Sequence, residues 1–272
     1  MKLFSWFSRQ KPPFSEVKPP ETANVVVPQT FSVDTPTREA LGRITRRDHC
    51  GCLERRTKVG KSGMPDLHVE EQDMSLVGWN KTVALIDSAA AEGNDVLTPS
   101  EHIPWEEWMT SITLPKEIGT LKRVKILRLY GSHLRRLPPE IGQMSALKEL
   151  DVYTSYGLHW LPYEVLRCSN LRSSRMSTRA LYGNRRTGLP FPRLREVSAS
   201  LAPATCSVCN QPFGERAPRP YWTTQRVGTD FVPLLAHTCS DDCTASIPDA
   251  PPGYFPRPHK GGGGVGMPVS LR

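Results

Sequence analysis

One phrase recurs along the middle of the chain. Leu114-Pro115-Lys116-Glu117-Ile118-Gly119 returns 23 residues later as Leu137-Pro138-Pro139-Glu140-Ile141-Gly142, and 24 residues after that as Leu161-Pro162-Tyr163-Glu164-Val165. Between and after the copies lie Val124-x-x-Leu127-x-Leu129, Leu147-x-x-Leu150-x-Val152 and Leu171-x-x-Ser174-x-Met176. A unit this short cannot bury its apolar side alone, so the copies must stack on one another. Side chains alternate along a strand, which points Leu127 and Leu129 into the stack and Arg128 and Tyr130 out of it. The Leu and Ile of each Leu-Pro-x-x-Ile stretch close the same core from the opposite side.

These residues resemble the leucine-rich-repeat superfamily, particularly the class with L-P-x-x-I-G in each unit. The resemblance covers residues 114–201 of a 272-residue chain. Tyr153 to Tyr156, Leu158-His159-Trp160 and Ser177 to Asn184 further resemble uncharacterised bacterial proteins of that class. What the resemblance implies is an α/β solenoid of three units and a kind of organism, not an activity. The chain also departs from the pattern. Ser132 and Ser155 replace the usual asparagine, which predicts a weaker internal hydrogen-bond ladder. The second unit carries one extra residue near Gly157. The third has Cys168 and Ser174 where large apolar groups belong, and so it reads as the end of the stack.

Outward strand positions line the open face. They are read as Lys125, Arg128 and Tyr130 in the first unit, Lys148, Asp151 and Tyr153 in the second, and Arg172, Arg175 and Ser177 in the third. Tyrosine and arginine are enriched at binding hot spots. Residues 164–196 hold eight arginines against two glutamates, so the expected partner is an acidic protein. A plain solvated face accounts for the same residues.

A repeat stack needs an atypical cap, because a bare terminal unit leaves its apolar edge in water. Residues 76–113 read as a helical cap. Val77, Val83, Leu85, Ile86 and Ala89 to Ala91 carry a helical period closed by Gly93 and Asn94. Trp105 and Trp108, three apart, fall on one helical face and are expected to seal the core. Residues 1–75 show no sustained period and read as a disordered tail. Cys50 and Cys52 within that tail read as an incidental pair, and Gly60-Lys61-Ser62 lacks the earlier glycine a phosphate loop requires, since position 55 is Arg55. Residues 259–272, with the run Gly261 to Gly264, read as a glycine-rich tail.

The chain has seven cysteines. Cys206-x-x-Cys209 is followed, after 29 residues, by Cys239-x-x-x-Cys243. Two close pairs joined by one loop can place four thiolates around a tetrahedral zinc. Tyr221 to Leu235, split by Gly228, reads as a hairpin, and Thr244 to Ser246 place Cys243 in the first turns of a short helix. Knuckle, hairpin and helix over residues 202–258 resemble a treble-clef finger, and Cys239-Ser-Asp-Asp-Cys243 resembles the second half of FCS/MYM-type fingers. A closed four-thiolate site has no open position for substrate and reads as structural, with a zinc-free pair of thiol clusters or a redox switch as the alternative. His237, two residues before Cys239, reads as a neighbour rather than a ligand.

The net charge of +8 and pI of about 9.2 suit acidic partners without choosing among them. No apolar run reaches the roughly 20 residues that span a bilayer. The start of the chain, with Leu3, Phe4, Trp6 and Phe7, lacks the apolar length of an export signal. An odd cysteine count without an export signal points to reduced thiols in the cytoplasm. No H-E-x-x-H, G-x-S-x-G or dinucleotide-binding glycine pattern is present. The sequence therefore predicts a protein-binding scaffold with a structural zinc module rather than an enzyme. Two alternatives stand beside it: a nucleic-acid binder using the basic face and the zinc module, and a repeat-linked enzyme with Cys168 as nucleophile and His159 as base.

Overall fold

The computed structural model describes residue 65 and residues 67–184, 189–195, 201–263 and 265. The apolar start, Cys50 and Cys52, the Gly60-Lys61-Ser62 string, most of the 1–75 segment and the last residues lie outside the described residues.

The described chain is a mixed α/β structure built on two sheets. It opens with helix α1 (Val77–Glu92), strand β1 (Val96–Leu97) and two short helices, α2 (Pro99–His102) and α3 (Trp105–Trp108). Strands β2 (Ile126–Arg128), β3 (Glu149–Val152) and β5 (Ser173–Met176) follow at the period of the repeated phrase. Strand β4 (Leu161–Pro162) stands between the last two. Strands β6 (Arg219–Val227) and β7 (Asp230–Thr238) form the hairpin, and helix α4 (Asp241–Ala245) ends the regular structure.

The first sheet is parallel, in the order β1-β2-β3-β5. Its register sets Leu97 beside Leu127, Leu127 beside Leu150 and Leu150 beside Ser174. Each Leu-Pro-x-x-Ile stretch becomes a 3-10 turn: Lys116–Thr120, Pro139–Gln143 and Tyr163–Arg167. The turns start at the residue after Pro115, Pro138 and Pro162, where proline's fixed φ and missing N–H cost nothing. Ile118, Ile141 and Val165 bury their side chains completely, opposite Leu127 and Leu150.

The glycine of the phrase has a packing reason. A Cβ on Gly142 would stand 2.3 Å from the Glu164 carbonyl oxygen of the next unit, closer than any real contact, so only glycine lets the turns stack. The third unit has Leu166 at that position, where no further unit follows, and its side chain packs against the core.

Helix α1 buries Gly78, Thr82, Ile86 and Ala89, one stripe at helical spacing, and ends at Gly93 with φ 69°. The expectation for the tryptophans needs correcting. Trp108 is buried at 1%, but Trp105 is 61% exposed and meets the His133 ring edge-on. Helix α3 is a single turn, and only its Trp108 end packs into the core. Strand β1 carries no sequence signal, because two residues have no period.

The second sheet, in the order β4-β7-β6, joins the third unit to the hairpin: Leu161 and Pro162 pair in parallel with Leu234 and Leu235. Residues 202–258 therefore fold onto the repeats rather than standing apart. Ser174 donates to Val227 O at 2.6 Å, so the serine that breaks the leucine pattern is the residue that receives the hairpin tip. The tip itself is the two-residue loop Gly228-Thr229, with Gly228 at φ 59° as a type II′ turn requires.

A second core gathers Trp160, Tyr182, Leu189, Phe191, Leu194, Trp222 and Leu235. Here the expectation of a free glycine-rich tail from residue 259 fails. Trp222 and His259 exchange backbone hydrogen bonds, Leu194 N–H donates to Lys260 O, and Gly262 N–H donates to Phe191 O. A Cβ on Gly261 would lie 2.1 Å from Pro192 O, so this glycine serves close packing, not flexibility. The described end of the N-terminal segment is likewise docked. His68 stacks on His159 at 5.5 Å, Glu70 pairs with Arg135 at 2.6 Å, and Gln72 accepts the Ile112 N–H at 2.8 Å.

Candidate metal centre and binding face

Cys206 to Asn210 form a tight knuckle. Asn210 N–H returns to Cys206 O at 3.0 Å, and Asn210 takes the left-handed conformation at φ 60°, which asparagine tolerates better than most residues. The knuckle is tied down on two sides. Ser207 donates its N–H to the carbonyl of His237 in strand β7 and accepts the His237 N–H on its hydroxyl, both at 2.8 Å, and Arg167 of the third unit donates to the carbonyls of Cys206 and Ser207. Across from it, Ser240 caps helix α4 by accepting the Cys243 N–H. This holds Cys239 and Cys243 on the last turn of backbone before the helix and within it.

The four sulfurs lie within 4.8 Å of one another. Cys209 and Cys239 are 3.7 Å apart, Cys239 and Cys243 3.6 Å. A tetrahedral site with Zn–S of about 2.3 Å has edges of about 3.8 Å, so the donor set fits a metal ion such as zinc. Cys206 is fully buried and Cys209 exposed, which leaves the centre at the surface with one wall inside. Burial opposes charge on Cys206, but the N–H groups of Cys209, Val208 and Cys239 overcome it and bring the thiol down to about 7. Desolvation and the neighbouring sulfurs push Cys239 up to about 12. Without a cation the cluster therefore shares protons among its thiols; a dication replaces them. All four cysteines are placed where they could hold such an ion together. His237 faces elsewhere, bonded to Ser207 through its backbone, so its reading as a neighbour agrees with the geometry.

The open face of the parallel sheet differs in detail from expectation. Because Leu127 and Leu150 face inward, the outward positions are Ile126, Arg128 and Tyr130, then Glu149, Asp151 and Tyr153, then Ser173, Arg175 and Ser177. Lys125, Lys148 and Arg172 stand one residue before the strands. Their backbones form the turn ladder, in which the carbonyls of Asp95, Lys125 and Lys148 each accept two N–H groups from the next unit. These three are flanking side chains rather than members of the pleat; Lys125 is paired with Asp95 at 2.8 Å.

At the middle of the face, Arg128, Asp151 and Arg175 share one cross-strand row. Asp151, expected to be open, is buried at 8%. Its carboxylate accepts the Tyr153 N–H at 2.9 Å and lies 3.7 Å from Arg175. Arg175 is 64% exposed, so that pair contributes at most about 1 kcal/mol; its use is to aim the side chain. The guanidinium sits 4.9 Å over the Tyr153 ring, and Tyr153 lies 6.1 Å from Tyr130. Both tyrosines are exposed.

Behind the face, Ser132 Oγ and Ser155 Oγ meet at 2.8 Å, and Ser155 also donates to Leu129 O. The serines thus make the ladder that the missing asparagines would have made. Cys168 is buried and donates to Ile141 O at 3.2 Å, and burial pushes its thiol up to about 11. A nucleophilic cysteine needs the opposite. His159 is held by Ala180 O, His68 and Tyr182, whereas the Cys168 thiol bonds Ile141 O.

No known family profile matches any part of the chain, and no curated protein is significantly similar to it in sequence. Among the described residues, no helix is long and apolar enough to cross a membrane.

Proposed function

We propose that this protein is an interaction scaffold: a short leucine-rich-repeat solenoid whose open face binds a protein partner, with a four-cysteine zinc site fastening its last unit. The observation that carries the reading is the exposed cluster of Tyr130, Tyr153 and Arg175 on a rigid parallel sheet. Two adjacent aromatic rings beside an oriented guanidinium supply large contact area at small entropic cost, the composition of interface hot spots. The solenoid reading is supported by strands that recur every 23 or 24 residues in matched register and by the glycines that let successive turns touch. Arg128 and Arg175, in the cross-strand row beside the tyrosines, favour a partner segment carrying acidic side chains. The zinc holds backbone in place and leaves no position for a substrate.

Selection of random peptides on the full chain tests this. Peptides enriched by the native protein should be rich in Asp and Glu and should lose binding to a Tyr130→Ala, Tyr153→Ala, Arg175→Ala variant that keeps its fold. Enrichment unaffected by that variant would remove the face from consideration. Salt-sensitive binding to arbitrary DNA or RNA would favour the nucleic-acid reading instead.

A further inference from the structure

On the side of the repeats away from the open face lies a cleft of about 250 Å³, walled by the Leu-Pro segments of the units, residues 201–204 and strand β7. Four of its lining side chains end in buried polar atoms with no hydrogen-bond partner among the described residues: Arg136 Nη1, Trp160 Nε1, Glu164 Oε1 and His237 Nε2. Glu164, Trp160 and His237 are buried to 97% or more. A buried polar atom left unpaired costs about 1–3 kcal/mol, and native folds keep few of them. Four gathered around one space indicate that something polar completes them.

The repeat sorts these groups by chemistry. Arg136 and Trp160 occupy the same position in successive units, the residue before Leu-Pro, and both offer only N–H donors. Glu140 and Glu164 occupy a second shared position, four residues further on, and both offer carboxyl oxygens. Leu137 and Pro138 separate the two rows in the second unit, and Leu114 and Leu235 add apolar wall. Lys116 and Arg136 are balanced by Glu140 and Glu164, so the lining favours neither a net anion nor a net cation.

We propose that this cleft is a binding site for a free amino acid, its carboxylate received by Arg136 and Trp160 and its ammonium by Glu164. The space corresponds to about eight waters at roughly 30 Å³ each, the size of a medium aliphatic amino acid. Burial pushes the Glu164 carboxyl upward, the environment in which an arriving ammonium group restores a favourable charge. The site lies behind the sheet and is independent of the open face, so it stands or falls apart from the scaffold reading.

The test uses the full chain, reduced and loaded with zinc. Each of the common L-amino acids is added at up to about 10 mM, with binding read by equilibrium dialysis and by the thermal midpoint, which a ligand of the native state raises. At least one amino acid with an aliphatic side chain should bind saturably. Its amide and its N-acetyl derivative, which lack one charge each, should bind at least tenfold more weakly. Glu164→Gln, which preserves shape, should weaken the free amino acid at least tenfold. No binding by any of them to folded protein would overturn the proposal and leave the four atoms to ordered water. Equal binding of the amide and N-acetyl forms would overturn it as well, and that arm needs no variant to fold.

Discussion

Thr229 covers the backbone of Ser174 as a strand would. Its hydroxyl accepts the Ser174 N–H at 3.2 Å and donates to the Ser174 carbonyl at 2.8 Å. Strand β5 is the last in the parallel sheet, and an uncovered edge invites pairing with another chain. At Ser174 the hairpin tip covers this one.

Thr229→Val keeps the shape and removes both bonds. The expected cost is about 1–2 kcal/mol, read from urea denaturation. The variant should also self-associate more than the native protein at high concentration, measured by light scattering. A variant as stable and as monodisperse as the native chain would mean that the edge is protected by something else.

Zinc removal should loosen the hairpin before it loosens the sheet. Purified reduced protein should carry one zinc per chain, lost in Cys206→Ser and in Cys239→Ser. Arg167 and Ser207 link the knuckle to the third unit and to strand β7, so chelation should first raise hydrogen exchange at Leu234 and Leu235, then at Leu150. Structural zinc contributes on the order of 10 kcal/mol in small fingers, so a chelated protein with unchanged exchange would exclude a structural role.

The two motif glycines should differ. At Gly142 an added methyl group meets the fixed Glu164 carbonyl at 2.3 Å, whereas at Gly119 the nearest atom is the end of the Gln143 side chain at 2.9 Å. Gln143 can swing away, leaving the Glu140 carbonyl at 3.1 Å, whereas the Glu164 carbonyl at 2.3 Å cannot be accommodated without moving the backbone. Gly142→Ala should destabilise by about 2 kcal/mol or more, and Gly119→Ala by clearly less, in the same denaturation assay.

Acid should release the C-terminal segment. Burial holds His259 well below its ordinary value, at about 4, and its Nδ1 accepts the Gly261 N–H at 3.1 Å. The unfolded chain takes up a proton below about 6.5, while the folded one refuses it until about 4. Stability contributed by the neutral ring is therefore complete above pH 6.5 and falls as pH drops toward 4, by at most about 3 kcal/mol. His259→Gln should flatten the stability curve in that window; an unchanged slope would move the effect to another group.

The apolar residues lining the parallel sheet were legible because their signal is periodic and local. Leu127, Leu150, Ile118 and Ile141 announce their burial through spacing alone, and the cysteine knuckle through the pairing of Cys206 with Cys209 and of Cys239 with Cys243. What stayed hidden depends on contacts between distant segments. Glu117, Glu140 and Glu164 look alike in sequence, yet only Glu164 is buried at 2%, because residues folded back from the cysteine region cover it. Ser174 reads as a defect until Val227 and Thr229 arrive 53 and 55 residues later. Lys125 shares the parity of buried Leu127, so the outward neighbours in that strand are Ile126 and Arg128.

The pairing of Trp222 with His259 sets an order of assembly during synthesis. The aromatic core around Trp222, Phe191 and Tyr182 lacks one wall until His259 to Gly262 emerge, and these follow every other residue of that core along the chain. The ribosome delivers the repeats first, and they can stack while the rest is still being made. A message broken shortly before codon 259 would thus yield a chain with finished repeats and an exposed cluster of aromatic rings, the kind of surface that quality-control proteases and chaperones recognise.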